Sequence, residues 1–324
     1  MASQNPTTAE FPFWMQNALK LSAHDVVCLD GGLATELEAR GYQFNTKLWS
    51  AKLLLNNPQA IYDSHIAYLK AGARIITSAS YQATLQGLYD SGIDADRSRK
   101  LLIDSVEIAS QARDVYRSKS GTETALVAAS IGPYGAYLAD GSEYYGNYGL
   151  NTQSLVNFHQ ERVNLLDKSE ADILAFETIP DYHEALALAH ISTNVSTPCW
   201  VTFSCSDEGH LRDGTPIESV AKLFKQNRSV FAIGVNCTSP EHITSLIQKI
   251  RCTVPCKRII VYPNSGEDYH LGKWSGKHSL NRWQQDCCDW IHAGAQIIGG
   301  CCRIGPNEIR QLARIIESSA QIKT

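Results

Sequence analysis

No apolar run in the chain approaches the ~20 residues that a membrane-spanning helix requires; stretches such as Ile297-Ile298 give way to glycine at once. Blocks of consecutive lysine or arginine are absent too. With Lys+Arg 29 against Asp+Glu 33, the formal net charge is −4, so nothing here can neutralise a run of phosphates. Neither a membrane nor a nucleic acid is expected as a partner. The N-terminal MASQNPTTAEFPFW is polar, then aromatic, without the basic flank and apolar centre of an export signal, so a cytoplasmic location is expected. No G-x-G-x-x-G follows a strand candidate, and the usual nucleotide-binding glycine cradle is therefore missing.

What is present is a globular composition, 44% hydrophobic and 19% charged over 324 residues. It also includes 10 cysteines. In a reducing compartment these are free thiols, ligands or catalytic groups rather than a disulfide framework. Cys28 and Cys199 lie inside apolar strand-like runs and read as small buried hydrophobes; Cys252, Cys256, Cys287 and Cys288 have no polar company and read as structural. Cys205, Cys237, Cys301 and Cys302 each fall at the end of a strand candidate.

Eight apolar, β-branched runs predict strands: Val26 to Leu29, Arg74 to Ser78, Ala125 to Ile131, Asp172 to Thr178, Cys199 to Ser204, Val230 to Val235, Arg258 to Tyr262 and Gln296 to Ile298. Helical periodicity lies between them, as in Ser98 to Tyr116, Leu155 to Leu166 and Ile243 to Ile250. Asn57-Pro58, Ser239-Pro240-Glu241 and Gly305-Pro306 mark helix starts. Strands apolar on both faces that alternate with helices predict a covered parallel sheet. Eight such units favour a single-domain (β/α)8 barrel over residues 1–324, with a doubly wound sheet as the rival; residues 1–22 form an N-terminal arm or helix. The glycine- and tyrosine-rich segment 134–150 is expected to be a long loop over a pocket.

In a barrel, chemistry sits where strands end at the C-terminal face. Those ends are polar here: Asp30-Gly31-Gly32, Ser80-Tyr81-Gln82, Ser130, Glu177-Thr178, Ser204-Cys205, Asn236-Cys237, Asn264-Ser265 and Gly299-Gly300-Cys301-Cys302. Strands six and eight have one strand between them, so Cys237, Cys301 and Cys302 can converge on one metal ion. Zinc takes thiolate ligands, and a catalytic site commonly leaves one of four positions open. A vicinal cysteine pair alone does not establish a metal, for Cys287-Cys288 has the same pattern without a strand end.

The strings DGGLATELEARG, SYQAT, SIGPYGAYLADGSEY, FETIP, GVNC, VYPNSGE and GGCCR resemble the homocysteine S-methyltransferases from about Asp30 to Ile309. The wider family includes betaine-homocysteine methyltransferase. The resemblance implies a barrel with a three-cysteine zinc site on Cys237, Cys301 and Cys302, completed by the sulfur of homocysteine, which then takes a methyl group to form methionine. Only small-molecule partners are implied, with S-methylmethionine favoured as donor and S-adenosylmethionine possible. Gly31 and Gly32 are candidates for the substrate carboxylate through backbone N–H groups. Glu177, with Asp30, is the candidate for the ammonium, Asn236 for orienting the sulfur site, and Tyr81 and Gln82 for approaching the substrate. Two other acceptors or donors, selenocysteine-type substrates and betaine, remain alternatives within the fold; the chain ends without the C-terminal extension of the betaine-using relatives. A non-enzymatic zinc or redox barrel is the alternative of another class. His65, His159 and His190 read as helix residues rather than ligands, His210 is the least dismissible histidine, and Trp14, Trp49 and Trp274 are left out of the site.

Overall fold

The computed structural model describes residues 10–22, 25–43, 49–121, 125–270, 273–275 and 279–321. Its eight parallel strands are β1 (Val27–Cys28), β2 (Ile75–Thr77), β3 (Leu126–Ile131), β4 (Ile173–Ile179), β5 (Cys199–Phe203), β6 (Val230–Asn236), β7 (Arg258–Tyr262) and β8 (Ile297–Ile298). They pair in chain order, and β8 pairs with β1. Closure is completed between β1 and β2 by a parallel bridge of Leu29 with Ile75, together with Arg74 N–H donating to Cys28 O (2.7 Å) and Asp30 N–H to Ile75 O (3.1 Å). The sheet is a closed TIM barrel; the doubly wound rival is excluded.

Each predicted strand is found within two residues of its expected bounds, because parallel strands buried on both faces carry the unbroken apolar runs that the sequence displays. Alternation then decides which residues face in. Val27, Ile75, Ala128, Ala175, Ala232 and Ile260 fill the barrel, while their chain neighbours Cys28, Ile76, Val127, Leu174, Ile233 and Val261 pack outward against helices. Continuing that period of two carries Thr77, Ser130, Glu177, Thr202, Asn236 and Tyr262 inward at the C-terminal ends. The uppermost layer of the barrel is therefore polar, whereas the layers beneath are apolar.

The opposite end is plugged by the helix Phe13–Leu19, whose Met15 and Leu19 join the interior cluster with Phe11. The Arg258 guanidinium lies 3.9 Å from the Phe11 ring centre, and Trp14 meets Phe231 edge-on at 6.2 Å. Trp14 is thus at the base of the barrel and cannot line a donor pocket at the other end. Residues 1–9 of the predicted arm lie outside the described residues, as do the side chains of Trp49 and Trp274.

Segment 134–150 departs from the expected loop. It holds a helix, Tyr134–Leu138, and a 3-10 turn, Ser142–Tyr144, separated by the left-handed Ala139 and Gly141. Its tyrosines supply a small core of their own: Tyr134 packs on Phe158 at 4.9 Å and on Tyr148 at 5.4 Å. Tyr134 N–H donates to Glu184 Oε1 (2.6 Å) and Asn147 N–H to Asp181 Oδ2 (3.0 Å), so both ends of the segment are tied to the helix Tyr182–Ile191 and its capping residue Asp181. We refer to this segment as the strap. An antiparallel pair, Asp268–His270 with Lys273–Ser275, follows β7 and was not foreseen. No described helix is long and apolar enough to cross a membrane.

Candidate metal and substrate site

The sulfur atoms of Cys237, Cys301 and Cys302 lie within 4.8 Å of one another, the only such group of three potential ligands among the described residues. Cys237 Sγ is 3.8 Å from Cys302 Sγ, which is 4.0 Å from Cys301 Sγ. Three sulfurs bound tetrahedrally at ~2.3 Å would stand ~3.8 Å apart, so the trio has the spacing of a zinc tripod. Cys205, although at a strand end, is separate: its N–H donates to Thr238 Oγ1 (3.0 Å), and burial pushes its thiol up. His210 also stays outside, paired with Asp207 at 3.0 Å.

Two loop ends bring the sulfurs together. After β6 the chain turns through Cys237 itself, a non-glycine residue at φ 51°, a conformation that costs roughly 1–2 kcal/mol. After β8, Cys301 N–H donates to Pro263 O (2.8 Å) and Cys302 N–H to Asn264 Oδ1 (3.2 Å). Gly299 and Gly300 serve this loop through space rather than through unusual φ. A Cβ on Gly300 would lie 2.1 Å from Ile304 Cγ2, and one on Gly299 2.6 Å from Asp30 O.

The same close approach explains Gly31 and Gly32, where added Cβ atoms would meet Ile304 O at 2.5 Å and Cys301 O at 2.6 Å. Gly32 N–H already donates to Ile304 O (2.9 Å), so the expectation that this amide is exposed for a carboxylate is corrected. Both glycines line the cavity, and both let the loop after β1 approach the loop after β8 that carries Cys301 and Ile304.

Asn236 ties the sulfur site to its neighbours. Its Oδ1 accepts from Thr178 N–H (2.8 Å) and Thr202 Oγ1 (2.8 Å), while its Nδ2 donates to Thr178 Oγ1 (2.7 Å) and reaches Cys301 Sγ at 4.0 Å. These bonds hold Thr178, a β-branched residue at φ 63°, in a strained irregularity of β4 next to Glu177.

The cavity at the barrel mouth has a volume of about 150 Å3 and is bordered by the cysteine trio, Asp30, Tyr81, Gln82, Glu177 and Asn236. The expected site residues therefore converge. Asp30 Oδ2 accepts from Thr77 N–H (2.7 Å) and Thr77 Oγ1 (3.0 Å). Burial nevertheless drives its pKa well above the usual carboxylate range, and the nearby Glu177 charge adds to this. Glu177 accepts from Ser130 Oγ, and burial pushes it up to about 7 against the lowering effect of its Ser130 and Tyr262 hydrogen bonds. Two carboxyls thus face one cavity with no basic side chain bonded to either among the described residues. Gln82 Nε2 donates to Ala136 O (3.3 Å), joining the floor to the strap.

The strap contributes two residues that the sequence did not single out. Tyr144 hydrogen-bonds to the sulfurs of Cys237 and Cys302 and carries the Arg212 guanidinium 5.8 Å from its ring centre. Glu143 also borders the cavity, pushed up to about 7 by burial. In the trio itself Cys237 is the preferred thiolate, held low by S–H groups of Cys301 and Cys302 and by the Arg212 charge. Interaction with that thiolate pushes the other two thiols up. A bound cation would let all three ionise. The inward parity of Thr178's neighbours and Tyr262 was readable from strand alternation, but nothing in the local sequence marks Arg212 or Glu143.

The sequence profile described as homocysteine S-methyltransferase matches residues 27–316. Homocysteine S-methyltransferase YbgG of Bacillus subtilis is 41% identical over 300 residues, covering 90% of this chain and 95% of the relative. Selenocysteine Se-methyltransferase of Brassica oleracea is 41% identical over 329 residues, covering 96% and 94%. The crystal structure of the homocysteine methyltransferase MmuM from Escherichia coli, metallated form, superposes with a TM-score of 0.83 at 39% identity, covering 96% of this chain and 99% of that one. Profile, relatives and structure agree along the whole barrel, and the chain belongs to the homocysteine S-methyltransferase family.

Proposed function

We propose that the protein is a zinc-dependent enzyme that transfers a methyl group from a small sulfonium, S-methylmethionine before S-adenosylmethionine, to the sulfur of homocysteine. The observation that carries this reading is the cysteine trio, spaced for one tetrahedral ion and set beside two buried carboxyls in a single cavity. Three thiolates are soft ligands of the kind zinc accepts, and Cys237, Cys301 and Cys302 would hold it with one position left for substrate. When bound, zinc supplies the positive charge that keeps the cysteines and the substrate thiol deprotonated at neutral pH.

Glu177, with Asp30 beside it, receives the homocysteine ammonium; a cation there repairs the burial cost that now raises both carboxyls. Asn236 keeps Cys301 and the irregular end of β4 at Thr178 in register. The thiol proton leaves for solvent before transfer. The thiolate lone pair then forms the new S–CH3 bond as the CH3–S+ bond breaks and its electron pair returns to the donor sulfur, leaving two neutral thioethers at the reacting sulfurs. No protein base is needed in that step; positioning is what the side chains provide.

A donor panel tests the reading: S-methylmethionine, S-adenosylmethionine and betaine against homocysteine, with and without prior chelation of zinc. Methionine formed fastest with S-methylmethionine, and none after chelation, is expected. Full activity in chelated protein refutes it. Selenocysteine belongs in the acceptor set because the Brassica oleracea relative bears that name at 41% identity.

A further inference from the structure

Both substrates in the proposed reaction are amino acids, so the cavity must accommodate two α-ammonium groups, while Asp30 and Glu177 on the strand-end side of the cavity border it together. A third carboxylate borders the same cavity from the strap. Glu143 Oε2 is buried and has no hydrogen-bond partner among the described residues. Its main chain is held firmly: a Cβ on Gly135 would lie 2.4 Å from Glu143 N, so only glycine permits the two backbones to meet. The next residue, Tyr144, hydrogen-bonds to the Cys237 and Cys302 sulfurs, which fixes Glu143 close to the reacting centre but on the roof rather than the floor.

Chemistry decides which donor charge it should meet. The sulfonium charge vanishes as the methyl group leaves, so a carboxylate paired with it would stabilise the ground state more than the transition state and slow the reaction. The donor's α-ammonium keeps its charge throughout, and pairing with it lends affinity without penalty. Resting on the proposed methyl transfer, we propose that Glu143 is the ammonium-binding residue of the methyl-donor subsite and selects sulfonium donors that carry an α-amino group.

The test compares S-methylmethionine with 4-(dimethylsulfonio)butanoate, the same sulfonium with hydrogen in place of the ammonium, using zinc-loaded wild type, Glu143→Gln and Glu143→Asp. Wild type should favour S-methylmethionine in kcat/KM. In Glu143→Gln that preference should fall roughly 10- to 100-fold, the worth of a charged hydrogen bond, through donor KM. Zinc content and homocysteine KM should stay at wild-type values, and Glu143→Asp should recover part of the preference. Wild type that uses both sulfoniums equally overturns the assignment without any variant having to fold. So does a Glu143→Gln preference within twofold of wild type, or an equal rise in homocysteine KM. Those results leave methyl transfer standing, whereas wild type that methylates homocysteine from neither sulfonium overturns the underlying reading as well.

Discussion

Replacing Glu177 by glutamine should make the protein more stable and less able to bind homocysteine, and the gain should grow with pH. The carboxyl is 7% exposed and its pKa is raised from 4.5 to about 7, chiefly by burial. Its native pKa lies above its unfolded one, so the stability it contributes is fully present below about 4.5 and declines as pH rises through about 7. Linkage over those two values gives a cost relative to a neutral side chain of about 1 kcal/mol at pH 5 and about 3 kcal/mol at pH 8. Glutamine keeps an acceptor for Ser130 Oγ and carries no charge. Thermal unfolding without substrate should therefore show Glu177→Gln gaining about 2 kcal/mol on wild type between pH 5 and pH 8, or roughly 3 °C for a chain of this size. Homocysteine affinity, followed by calorimetry on zinc-loaded protein, should fall at least tenfold at pH 8. A variant less stable than wild type at pH 8, or one that keeps its homocysteine affinity, would refute the reasoning.

Asn236→Ala removes the bonds to Thr178 and Thr202 and the contact with Cys301, so zinc affinity measured by chelator competition should fall about 10- to 100-fold while far-ultraviolet circular dichroism is preserved. His65 is fully buried with neither ring nitrogen partnered among the described residues, and burial lowers its pKa to about 4. Its native pKa lies below the unfolded 6.5, so stability drains as pH falls from 6.5 towards 4. Wild type should lose about 3 kcal/mol more than His65→Leu over that window in denaturant titrations.

The barrel was legible because each strand is apolar on both faces, and the site because its residues terminate those strands. Glu177 and Asn236 needed only the strand ends and the period of two, whereas Cys237, one residue past β6 and of the opposite parity, enters the site through its left-handed φ. The strap was not legible. Its glycines at 141, 146 and 149 take positive φ and mimic a loop in the sequence, while the tyrosines between them pack as a small core. Arg212 reaches the site from the turns after β5, where no periodicity operates. Gly32 illustrates a different failure. A glycine at a strand end suggested a free amide for substrate, whereas that amide bonds Ile304 O and the close contact with Cys301 O lets the loops after β1 and β8 approach. His65 also differs from a satisfied core histidine, since its ring bonds nothing among the described residues.

In the proposed reaction the substrate sulfur completes a metal site built from Cys237, Cys301 and Cys302. X-ray absorption at the zinc edge, recorded on protein with and without homocysteine, tests it directly. Three sulfur scatterers near ~2.3 Å are expected in protein alone and four with homocysteine. An unchanged sulfur count on saturation with homocysteine would contradict it.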